Sequence, residues 1–80
     1  MTTVERSVSF KTRYGTSTVQ LVRGEADSPV RLWEGRPQTW WVIPKTPAYA
    51  GKAERIYEQM VLDEERCAAS YGGHRLGGTP

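Results

Sequence analysis

Few side chains in this 80-residue chain could do acid–base, nucleophilic or metal chemistry: one cysteine, Cys67, one histidine, His74, and nine carboxylates. A serine or cysteine nucleophile needs a base held within hydrogen-bond reach. His74 is the sole imidazole, and it sits in a glycine-rich stretch with nothing near it in sequence to fix its position. Asp63 and Cys67 lie four residues apart, on one face of a helix, and with His74 they make a nominal three-ligand set. Structural zinc sites draw on four cysteine or histidine ligands, so no metal and no cofactor is expected. Cys67 reads instead as a small apolar side chain in the core. The carboxylate pairs Glu54 with Glu58 and Glu64 with Glu65 fall on a solvated helix face, where nothing drives their pKa values apart as acid–base catalysis requires. The glycine-rich stretch matches neither the phosphate-cradling loop nor the dinucleotide fingerprint. The inventory predicts a protein that is not an enzyme.

What the sequence does hold is contact chemistry. It has three tryptophans, and arginine outnumbers lysine by eight to three. A flat amphipathic ring and a planar guanidinium both give large contact area for little side-chain entropy, which is why they recur at interface hot spots. Trp33, Trp40 and Trp41 lie within nine residues of one another and Arg31 stands two before Trp33, so the elements that carry this segment decide what the chain can bind.

Those elements follow from periodicity. Residues 4–12 alternate, with Val4, Val8 and Phe10 on one side and Glu5, Ser7, Ser9 and Lys11 on the other, the pattern of a half-buried strand. Gly15 offers a turn, and residues 16–23 resume a β-rich composition, so the two segments predict a hairpin. Val30, Leu32 and Trp33 make a third strand, and residues 38–43 make a fourth, closed by Pro44. From residue 47 the period becomes helical: Thr46 suits the N-cap, Pro47 the first helical position, and Tyr49, Ala53, Ile56, Tyr57, Met60, Cys67 and Tyr71 share one stripe. The expected architecture is α+β: a four-stranded antiparallel sheet, flat or curled, followed by one long C-terminal helix in two layers. Residues 1–71 form one small domain and residues 72–80 a flexible glycine-rich tail.

One helix covers one face of such a sheet, so the other must be polar, or bind something, or curl closed. With Val4, Val8, Phe10, Val30 and Leu32 turned to the helix, alternation turns Lys11, Arg31 and Trp33 away, together with one of Trp40 and Trp41. A helix over residues 47–71 would span about 36 Å and overhang strands of six or seven residues. Its overhanging turns would carry Leu62 outward and leave Glu64 on the apolar stripe, an arrangement suited to a second copy packing helix to helix.

The charge is modest and uneven. Residues 1–52 hold eight basic against four acidic side chains, and residues 53–80 three against five, for a net charge of +2. This falls short of the dense basic runs of strong nucleic-acid binders. A single cysteine leaves no disulfide framework and points to a reducing, cytoplasmic setting. The first 25 residues carry no apolar core of a secretory signal, and no run is long enough to span a bilayer, so no membrane partner is expected.

The function expected from these readings is a protein-binding module that docks on a larger host protein or ribonucleoprotein complex through Lys11, Arg23, Arg31, Trp33, Trp40, Trp41 and Leu62. In size and organisation alone the chain resembles small phage- or mobile-element-encoded inhibitors of host machinery, anti-CRISPR proteins among them, and that likeness implies an inhibitor. The alternatives are a sheet-based nucleic-acid binder, with Arg23, Arg31 and Lys11 on phosphates and an outward tryptophan on a base, and a small homodimeric structural module joined through the helix.

Overall fold

The computed structural model describes the backbone of residues 2–79 and the side chains of residues 2–76. Strands β1 (Thr3–Thr12), β2 (Gly15–Arg23), β3 (Asp27–Trp33) and β4 (Arg36–Trp40) run in succession, a 3-10 turn spans Pro47–Tyr49, helix α1 spans Lys52–Ser70, and β5 (His74–Thr79) follows. The sheet is antiparallel in the order β4-β3-β2-β1-β5, with α1 laid across one face. The expected α+β architecture stands, with one strand more: the segment expected to be a loose tail pairs along the outer edge of β1. Five strands with a helix on one face give the two layers.

The core lies between α1 and the three middle strands. Val19, Leu21, Ile43, Ala53 and Tyr57 form one cluster, and Val8, Phe10 and Ala68 a second, with Val61 packed against both. At its C-terminus the helix stops on a glycine pair. Gly72, at φ 69°, donates to the Ala69 carbonyl and Gly73 to the Ala68 carbonyl, which satisfies two carbonyls the helix would leave unpaired.

The helix is shorter than its periodicity suggests. Thr46 and Pro47 do start a helical turn, but it closes as a 3-10 turn, and Gly51, at φ 77° in the left-handed region, separates it from α1. Nineteen residues give about 28 Å, against about 33 Å for the ten residues of β1. The expected overhang is therefore absent. Ala68, one turn from the helix end, is buried against Val8 and Phe10, and the Tyr71 ring meets Tyr14 edge-on at 5.5 Å. Leu62 is exposed, but on the flank of a docked helix.

The strand faces also differ from simple alternation. Between Val4 and Arg6 the register of β1 against β2 slips by one residue at Glu5, so Val4 and Val8 point to opposite faces and Arg6 joins the helix side. In β3 it is Pro29, Arg31 and Trp33 that stand opposite Leu21, Val19 and Ser17, so they face the helix, whereas Val30 and Leu32 face away. Hydrophobicity misassigns this strand because both of its faces are half apolar. The fourth strand ends at Trp40, earlier than expected. Trp41 donates to the Pro29 carbonyl, and Ile43 returns in a lone bridge to Asp27 that delivers its side chain to the core.

Candidate functional site

Because α1 sits over the middle of the sheet, a trough remains between the helix and the β3–β4 flank. Its floor is an ion pair. Arg31 Nε lies 2.6 Å from Glu64 Oε2, and Arg31 Nη2 donates to Glu64 Oε1 at 3.3 Å. Glu64 is only 7 % exposed, and the guanidinium beside it compensates its carboxylate at the helix–sheet interface. This explains why a glutamate occupies the apolar stripe of the helix: it faces the one cation that β3 turns inward.

The ion pair divides the trough into two cavities, both of which it lines together with Cys67. On one side a cavity of about 490 Å³ is bounded by Thr39, Trp41, Ile56 and Met60. On the other a cavity of about 390 Å³ is bounded by Tyr14, Trp33, Gln38 and Tyr71. Aromatic and long apolar side chains interleaved with polar groups, the Arg31–Glu64 pair and the Gln59–Asp63 hydrogen bond among them, are the usual make-up of a surface that receives a partner's side chains.

Beyond the trough, β4 is the unpaired edge of the sheet and all five of its residues are exposed. Pro37 lacks an N–H and the register slips at Gln38, two features that discourage another strand from adding there. The flank thus offers side chains rather than backbone. Trp40 (55 % exposed), Trp41 (49 %) and Val42 (60 %) form a continuous exposed apolar run. Trp40 stands opposite Val30 and so belongs to the open face, whereas Trp41 lines the trough.

Of the residues expected to bind, Leu62 stands apart on the opposite flank of α1, and the other six separate into three groups. Trp33, Arg31 and Trp41 come together in the trough, on the helix face rather than on the open face where alternation put Trp33 and Arg31. Lys11 is exposed on the open face, beside His74 in the register of β1 and β5, and Trp40 shares that face. Arg23 belongs to neither surface, since it faces the helix. Its guanidinium meets Glu5 at 2.6 Å, Asp27 at 2.7 Å and Glu54 of the helix, so it ties β1, the start of β3 and α1 together. The hydrogen bond from Arg23, first among several influences, holds the carboxyls of Glu5 and of Glu54 below the usual carboxylate range, and the three acids raise the Arg23 guanidinium further.

Among the described residues no three histidine, cysteine or acidic side chains converge as metal ligands. Cys67 is exposed along the trough rather than buried in the core, and His74 lies on the opposite face of the sheet. Tyr14, Tyr71, Met60 and Glu64 are the trough residues that sequence reasoning did not assign; Glu64 alone carried a signal, as an acid at an apolar position. No helix among the described residues is long and apolar enough to cross a membrane. Comparison of the chain with known protein families, with curated proteins and with solved structures gives no match.

Proposed function

We propose that the chain is a protein-binding module that docks on a larger protein or ribonucleoprotein complex through the β3–β4 flank, with Trp40, Trp41 and Val42 as anchors and the trough as the receiving surface. The observation that carries this reading is the adjacent exposure of two tryptophans and a valine beside two aromatic-lined cavities. A small domain has every energetic reason to bury such groups, and contiguous exposed apolar surface marks interaction sites. The guarded edge of β4 favours recognition through side chains.

Affinity capture with tagged wild-type protein, compared with Trp40→Ala, Trp41→Ala and the opposite-flank variant Leu62→Ala, tests it. A protein retained by wild type and Leu62→Ala but lost by at least tenfold in both tryptophan variants, at matched melting temperatures, is the expected result. Equal capture by all four chains would remove this flank as the site. The nucleic-acid reading draws less support, because Arg23 and Arg31, two of the three cations it relies on, are held by carboxylates. It predicts a shift of single- or double-stranded probes that weakens as salt rises.

A further inference from the structure

On the other flank of α1, toward β1 and β5, a surface cavity of about 330 Å³ gathers chemistry that the docking reading does not use. Its polar lining is Arg6, Tyr57 and Arg75, with Glu58 at the rim; its apolar lining is Val8, Val61 and Leu62.

Two donors in this lining are buried and have no hydrogen-bond partner among the described residues: Arg6 Nε and the Tyr57 hydroxyl. Tyr57 is 1 % exposed, and a buried hydroxyl without a partner destabilises the fold, so its retention asks for a reason. The Arg6 guanidinium lies 4.7 Å over the Tyr57 ring and the Arg75 guanidinium 5.7 Å over the Phe10 ring. Burial pushes the Tyr57 hydroxyl up from its ordinary value, while the charges of Arg6 and Arg75 pull the other way. Each arginine also touches a carboxylate, Arg6 with Glu58 of the rim at 3.5 Å and Arg75 with Glu65, outside the lining, at 2.7 Å. Exposed pairs of this kind are weak and exchange readily. Within the lining, two cations face one carboxylate.

We infer that this cavity binds an aliphatic carboxylate, whose carboxyl group accepts hydrogen bonds from Arg6 and Tyr57 beside the charge of Arg75 and whose hydrocarbon lies on Val8, Val61 and Leu62. A bare inorganic ion fits the donors but not the lining: the volume corresponds to about ten water molecules, and three of the seven lining side chains, Val8, Val61 and Leu62, are aliphatic. An amine is disfavoured by the two guanidinium groups.

Titration of hexanoate, acetate and hexylamine into the full chain, followed by amide and methyl chemical shifts, tests the inference. Hexanoate is expected to shift Val61 and Leu62 methyl resonances saturably, acetate to bind at least tenfold more weakly, and hexylamine to leave them unmoved. Tyr57→Phe removes only a hydroxyl without a partner, so it should keep or raise the melting temperature while weakening hexanoate at least tenfold. Arg75→Gln should weaken it similarly, and Trp41→Ala, on the other flank, should not. No saturable hexanoate shift, an equal response to hexylamine, or undiminished binding by Tyr57→Phe and Arg75→Gln would overturn the assignment.

Discussion

The Arg31–Glu64 pair shows how one residue can look misplaced in sequence and be required in the fold. Glu64 is buried, so removing its partner leaves a carboxylate without compensation at the helix–sheet interface. Arg31 is itself partly open to solvent, which lowers the cost below that of a fully enclosed pair. Arg31→Ala is expected to lower the unfolding free energy by about 2–3 kcal/mol, read from the urea midpoint, whereas Arg31→Met combined with Glu64→Leu should recover most of the loss. A double variant no more stable than the single one would show that the pair is not what the site depends on. The pair was half legible in sequence: Glu64 could be seen on the apolar stripe, but its partner could not, because nothing in residues 27–33 says which side of β3 faces the helix.

Among the elements, what the sequence revealed and what it concealed follow from how local each signal is. Strand and helix periods are local, and they recover β1 to β3 and most of α1. Parity across the sheet is not local, since one extra residue at Glu5 reverses it and β3 carries apolar side chains on both faces. The fifth strand was hidden by composition, because glycine carries low strand propensity and only its pairing to β1 orders it. The junction of α1 with β5 depends on close backbone approach at Gly73, where a Cβ would stand 2.7 Å from the Lys11 carbonyl oxygen and 2.8 Å from that of Ala68. Both obstacles are backbone atoms and cannot swing aside. Gly73→Ala is therefore expected to cost about 1–3 kcal/mol by overpacking and to speed amide exchange in β5. Gly72→Ala meets no atom nearer than 3.7 Å and strains only its φ of 69°, so it should cost less and leave β5 protected. Equal effects of the two substitutions would contradict this account.

At the scale of the whole molecule, the Arg23 cluster couples three parts of the chain to pH. The carboxyls of Glu5 and Glu54 have folded pKa values below their unfolded ones, chiefly because each accepts a hydrogen bond from Arg23. Such groups contribute stability above the unfolded pKa, near 4.5, and that contribution is lost as pH falls through the depressed folded values. Urea midpoints measured from pH 6 down to pH 2 should therefore drop more steeply for wild type than for Arg23→Gln, the two chains converging at the acid end. Parallel profiles would show that the cluster does not carry the linkage. The two flanks of α1 are then distinct surfaces held at fixed spacing by one core, with aromatic anchors on one and paired cations on the other. The placement of the tryptophans at the end of β4 adds a spectroscopic consequence. Trp40 and Trp41 are covalent neighbours turned to opposite faces of the sheet, and Trp33 shares the trough with Trp41. The protein thus carries intrinsic fluorophores sorted by face: in variants that keep a single tryptophan, emission from Trp33 or Trp41 is expected to report occupancy of the trough, and emission from Trp40 occupancy of the open sheet, with no label attached.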